Sequence, residues 1–140
     1  MSGGDGETLA IPRAYLDEIV AQSRAEVPAE ACGLIAGRQG RAVHLYQIPN
    51  ADPSIYRYNM EPRAQLAAMQ DMEAHDWDLL AIYHSHTHTP AYPSPTDIGL
   101  AFYPDVYYAI LTLQNAASPQ LRAFRILDGQ VREVEVRVTG

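Results

Sequence analysis

The chain has 140 residues, enough for one domain with a real core, and is 47% apolar and 19% charged, as globular proteins are. Its net charge is -7, from 17 acidic and 10 basic side chains. All ten of the latter are arginine and none form a run, so no nucleic-acid partner is expected. No window approaches the roughly 18 apolar residues of a membrane span, and the single cysteine, Cys32, excludes an internal disulfide and every multi-cysteine zinc site.

Residues 1–8 read as a loose leader before one domain over 9–140. They lack the basic and apolar regions of a signal peptide, so a cytoplasmic protein is expected. Residues 8–11 predict a short strand. Pro12 suits a first helical turn, Leu16, Ile19, Val20 and Ser23 recur at helical spacing, and Pro28 stops that helix near 25–27. EACGLIAG, 30–37, predicts a buried strand. RQGR is a tight turn into a second strand, VHLYQI, over 43–48. Residues 49–60 are turn-rich and read as a loop. A helix is expected over 61–77, with Leu66, Met69, Glu73 and Trp77 on one side.

LLAIYHSH, 79–86, predicts a central strand. A short helix over 94–103 should stop at Pro104. VYYAILTL, 106–113, is another strand. RAFRIL and QVREVEVRV flank Asp128-Gly129, a hairpin signal. Val131, Val134, Val136 and Val138 alternate with charges, which suggests a half-exposed edge strand. The order β-α-β-β-α-β-α-β-β-β implies an α/β (α+β) three-layer sandwich, with a mixed, partly antiparallel sheet flanked by helices.

The segment HSHTHTPAYPSPTD, 84–97, carries the chemistry. Residues two apart on a strand share a face, so His84 and His86 project together. Two imidazoles on one face begin a metal site, and Asp97 offers a carboxylate eleven residues further on. Taken alone, such histidines are more often buried and hydrogen-bonded. Ser94 and Asp97 also have a plain structural role, because Ser-Pro-Thr-Asp is a helix-start signal. His44 and His75 read as surface residues, and Cys32 as a small core residue. Tyr56, Tyr58 and Tyr92, with His88, lie in loops where they are candidate substrate contacts.

With Glu30 at the head of an upstream apolar strand, the spacing H-S-H-x7-S-x2-D resembles the JAMM, or MPN-plus, metallopeptidases along nearly the whole chain. The resemblance implies a JAMM/MPN-like (cytidine-deaminase-like) fold. It implies one Zn2+ held by His84, His86 and Asp97, with Glu30 as general base and Ser94 as the donor that steadies the oxyanion. Many members place proline after the second histidine. Here Thr87 follows and proline arrives at Pro90, which bears on substrate placement.

The chain, without long insertions, resembles the stand-alone bacterial branch, and the run EACGLIAG with YHSHT…AYPS…D is most similar to the hydrolases of cysteine biosynthesis. That branch implies a ubiquitin-like, CysO-type sulfur-carrier protein with a Gly-Gly tail as partner, from which cysteine is released. Trimming of carrier precursors and cutting of isopeptide-linked conjugates are the alternatives, with a non-catalytic scaffold behind them. A monomer and a homodimer both remain open. A zinc deaminase and an H-E-x-x-H peptidase are excluded, because their ligand motifs are missing.

Overall fold

Two reversals with positive φ at both central residues close the sheet's tight hairpins. They are Gln39-Gly40 (φ 52° and 79°) and Asp128-Gly129 (φ 51° and 76°), the backbone of a two-residue turn that matches strand twist. The computed structural model describes residues 7–52 and 54–140, so residues 1–6 of the expected leader lie outside the described residues. The elements are β1 (Thr8–Pro12), α1 (Arg13–Glu26), β2 (Cys32–Arg38), β3 (Arg41–Ile48), α2 (Pro62–Ala74), β4 (Asp78–His86), α3 (Pro95–Gly99), β5 (Tyr107–Thr112), β6 (Gln120–Leu127) and β7 (Gln130–Thr139). This is the order read from the sequence.

The strands form one seven-stranded sheet in the order β1-β7-β6-β5-β4-β2-β3. The β1/β7 and β4/β5 pairs are parallel and the others antiparallel, so the sheet is mixed. Ile19 of α1, with Tyr15, Leu16 and Val20, packs on one face against Ile35, Tyr83 and Leu111. Ala68 and Met72 of α2 pack on the other against Leu34, Ile82 and Ile110. The result is the expected three-layer α+β sandwich. No helix among the described residues is long and apolar enough to cross a membrane.

Three local expectations are corrected. In α2 the buried residues are Ala68 and Met72, while Leu66 is exposed. The stripe that meets the sheet runs at i, i+4 through Ala64, Ala68 and Met72, and the small alanines let the helix sit close. The helix expected over 94–103 ends at Gly99. Leu100 and Phe102 beyond it are exposed, so a longer helix would gain no burial. β7 is not an edge of the sheet. Its first half pairs with β6 and its second half with β1, and the edges are β1 and β3. The Val/charge alternation reflects partial cover of the two faces of β7, which periodicity alone does not distinguish from an edge.

β2 and β4, which form the site's frame, pack tightly through a missing side chain. A Cβ on Gly33 would stand 2.2–2.3 Å from the Tyr83 ring and hydroxyl. Tyr83 is fully buried and donates to Gln22 Oε1 at 2.6 Å, and Gln22 Nε2 in turn donates to the Cys32 carbonyl at 2.9 Å. The ring has nowhere to move. Gly33→Ala is expected to cost about 3 kcal/mol of unfolding free energy in urea titrations, as overpacking of a filled core does. An unchanged denaturation midpoint would overturn this account of the frame.

Candidate metal centre

β4 carries the first two donor groups. Its pleat sends His84 and His86 to one face and Ser85 to the other. Both imidazoles are buried, and their Nε2 atoms lie 3.1 Å apart. Asp97 arrives from α3. Ser94 Oγ accepts from the Asp97 N–H at 3.0 Å, and Asp97 Oδ2 accepts from the Ser94 N–H at 2.8 Å. This capping box satisfies two backbone donors at the start of the helix. The same Oδ2 stands 3.2 Å from His84 Nε2 and 3.1 Å from His86 Nε2. The cap therefore aims the carboxylate, and the two roles of Asp97 coexist.

The three donor atoms make a triangle with edges of 3.1–3.2 Å. Tetrahedral ligands at ordinary zinc–nitrogen and zinc–oxygen lengths stand about 3.3–3.4 Å apart. The residues present thus fit a small divalent ion with only a slight opening. His86 Nδ1 lies 2.8 Å from the Pro90 carbonyl. That contact puts a proton on Nδ1, so Nε2 is the nitrogen that faces the triangle and can offer its lone pair to a cation. Burial pushes the Asp97 carboxyl up, but hydrogen bonds from both imidazoles outweigh it and hold Asp97 well below the usual carboxylate range. Burial pulls His86 down, and Asp97 outweighs this, so its pKa is raised.

Glu30 completes the cluster from the neighbouring strand. Cys32 pairs with His84 across the β2/β4 ladder. Ala31 extends that register: its N–H donates to Ser85 Oγ at 2.8 Å, and its carbonyl accepts from the Ser85 N–H at 2.9 Å. Continuing the register sets Glu30 opposite His86. The Glu30 side chain is buried, and its Oε1 has no hydrogen-bond partner among the described residues. Burial, eased by His86 and reinforced by Asp97, pushes its pKa up to about 8. A cluster of two imidazoles, one low-pKa carboxylate and one proton-avid carboxyl can hold a cation and move a proton beside it.

A family model described as prokaryotic homologs of the JAB domain matches residues 12–127. The chain belongs to the prokaryotic JAB-domain family. It is 39% identical over 132 residues to a CysO-cysteine peptidase of Mycobacterium tuberculosis, covering 93% of this chain and 90% of that one. It is 39% identical over 129 residues to a probable TtuB-protein conjugate cleaving protease of Thermus thermophilus, covering 91% and 82%. A Desulfitobacterium hafniense protein solved in solution superposes with a TM-score of 0.85 at 34% identity, covering 95% and 93%. The JAMM/MPN-plus resemblance read from the motif is borne out, and this JAB domain is a metallopeptidase.

The other candidate residues of the JAB domain are placed unevenly. The Tyr58 ring stacks on His84, with centroids 4.7 Å apart, so the 49–60 loop walls the centre. Tyr56 is exposed on the same loop. Tyr92 packs edge-on against Phe124, and its ring makes no contact with the His84 or His86 ring. His88 is exposed just past the end of β4. Cys32 is buried and donates to the Ile48 carbonyl at 3.4 Å, and burial pushes its pKa up to about 12, which suits packing rather than nucleophilic chemistry. His44 and His75 are exposed and flank Trp77.

Two supporting residues were not singled out in the sequence. Ser85 fastens the Glu30 segment to β4, and the hydroxyl between the two histidines of the motif is the signal that marks it. Asn50 Nδ2 donates to the Glu30 carbonyl at 2.9 Å, while its Oδ1 accepts from the Asp52 and Asn59 N–H groups. It ties the base of the 49–60 loop to Glu30, and no spacing rule points to it.

Proposed function

We propose that this protein is a zinc-dependent hydrolase. It cuts the amide bond after the C-terminal Gly-Gly of a ubiquitin-like sulfur-carrier protein and releases the cysteine carried there. The observation that carries this reading is the triangle of His84, His86 and Asp97 donor atoms with the buried Glu30 carboxyl beside it. Two imidazoles and one carboxylate are a donor set that zinc accepts with one position left open. When bound, zinc supplies Lewis-acid polarisation of the scissile carbonyl and acidifies water.

The chain's own groups do the rest. Glu30 accepts a proton from the attacking water and passes it to the departing amine. Burial raises the proton affinity of its carboxylate, and a cation at the triangle favours the charged form that accepts the proton. Ser94 Oγ already accepts the Asp97 N–H, so its own O–H proton is left to donate to the oxygen on which charge develops. His86, oriented by the Pro90 carbonyl, and His84, backed by the Tyr58 ring, stay fixed through the cycle. The same reading puts the work in the cytoplasm and in one domain over 9–140.

That two relatives are named for a CysO–cysteine bond and for TtuB–protein conjugates supports a conjugated carrier protein as substrate. The test is to incubate the zinc-loaded protein with a carrier–cysteine conjugate and follow the products by mass spectrometry. Free cysteine and a carrier ending in Gly-Gly are expected, with loss of turnover on chelation and recovery on adding zinc. An intact conjugate, with a precursor tail or an isopeptide link cut instead, would move the assignment to that bond. An intact set of all three would end it.

A further inference from the structure

A groove of about 540 Å³ opens between the C-terminal end of α1 and the tips of β4 and β5, lined among others by Arg24, Val27, Pro28, Thr87, His88 and Leu113. We propose that this groove receives the residue on the leaving side of the scissile bond, and that Arg24 selects a leaving residue with a free α-carboxylate. The inference rests on the peptidase reading above and adds to it what the enzyme recognises beyond the bond.

The groove and the metal centre share one strand end. Thr87 directly follows His86, and Pro28 lies two residues before Glu30. The Leu113 N–H donates to the His86 carbonyl at 2.9 Å. Alternation along β4 turns His84 and His86 to the α2 face and leaves Ser85 and Thr87 toward the α1 face. The groove therefore opens at the tip of β4, beside the strand end that carries His86.

Its chemistry suits a small, anionic leaving group. Val27, Pro28 and Leu113 give apolar walls. Arg24 donates from Nη2 to the Ala116 carbonyl at 3.0 Å. No carboxylate among the described residues is ion-paired with it, and none lines the groove. On a protein of net charge -7, a guanidinium with spare donors is a specific attractor for a carboxylate. Thr87, at the groove's wall, is 7% exposed, and its buried Oγ1 has no hydrogen-bond partner among the described residues. A lysine side chain within a folded protein brings no carboxylate here, so the groove favours an amino-acid adduct over an isopeptide link.

The test compares a carrier–cysteine conjugate with the same conjugate ending in cysteinamide, using the zinc-loaded wild type, Arg24→Ala and Arg24→Lys. The wild type should prefer the acid by about tenfold or more in kcat/KM, as loss of a charge-assisted hydrogen bond implies. Arg24→Ala should bring the acid-to-amide ratio toward one through KM, with kcat, metal content and thermal midpoint retained. Arg24→Lys should restore part of the preference. An acid preference unchanged in Arg24→Ala, or a wild type indifferent to the carboxylate, would overturn the inference alone. A wild type that cuts neither conjugate would overturn the functional reading and this inference with it.

Discussion

Glu30→Gln is expected to lower kcat/KM on the carrier conjugate by about 10³–10⁴-fold, the upper range for removal of a general acid–base group, while metal per chain stays at the wild-type value. Glu30 is not one of the three clustered donors, so the amide should leave the triangle intact. It has the carboxyl's shape but can neither take a proton from water nor return one to the amine. The same variant has a second, opposite effect. Glu30 is buried, and burial lifts its pKa from 4.5 to about 8. The folded metal-free protein therefore binds more protons than the unfolded chain between those values, and its stability falls as pH rises through that window.

Glutamine removes this penalty. In metal-free protein Glu30→Gln should match the wild type near pH 4 and exceed it by an amount that grows to on the order of 3 kcal/mol at pH 8. Paired denaturation curves at the two pH values measure it. A cation at the triangle favours the carboxylate form and should shrink the difference. Full activity in Glu30→Gln would remove Glu30 from the mechanism. A pH-independent stability difference would remove the account of its burial. A group that destabilises the empty fold at working pH is held there by function.

Much of this was legible in the sequence, for identifiable reasons. The elements around LLAIYHSH and EACGLIAG are apolar runs, too short and too closely bounded by turn residues to be helices. The spacing from His84 to Asp97 survived folding because strand alternation and a helix cap are both local rules. Glu30 entered through the motif; its alignment with His86 depends on the β2/β4 register, which Ser85 fixes across 54 residues. The misses share a cause. Leu66, the early end of α3 and the inner position of β7 depend on what lies against each element in space, and periodicity reports only that some face is buried. Asn50 was invisible because its side-chain amide works on backbone groups, those of Glu30, Asp52 and Asn59, which no residue pattern marks.

Asp97→Asn separates the two tasks of one carboxylate, and should abolish metal binding and turnover while leaving the fold in place. Asp97 Oδ2 accepts the Ser94 N–H and also faces both Nε2 atoms. An asparagine oxygen can still accept from Ser94, so the start of α3 should hold and the metal-free variant should lose about 1 kcal/mol or less. The triangle, however, loses its only negative donor. The carboxylate held far below its ordinary pKa by the two imidazoles becomes a neutral amide, and any rotation that turns its NH2 inward points donors at the cation. Metal affinity should fall by more than about 100-fold, beyond the usual effect of disturbing a supporting contact. Metal analysis after dialysis gives the first number and conjugate cleavage the second. Asp97→Ala, which removes cap and donor together, should lose metal equally but cost about 1–2 kcal/mol of stability as well. Stoichiometric zinc in Asp97→Asn would mean that the ion is held elsewhere, and both histidines would then need another explanation for meeting at 3.1 Å.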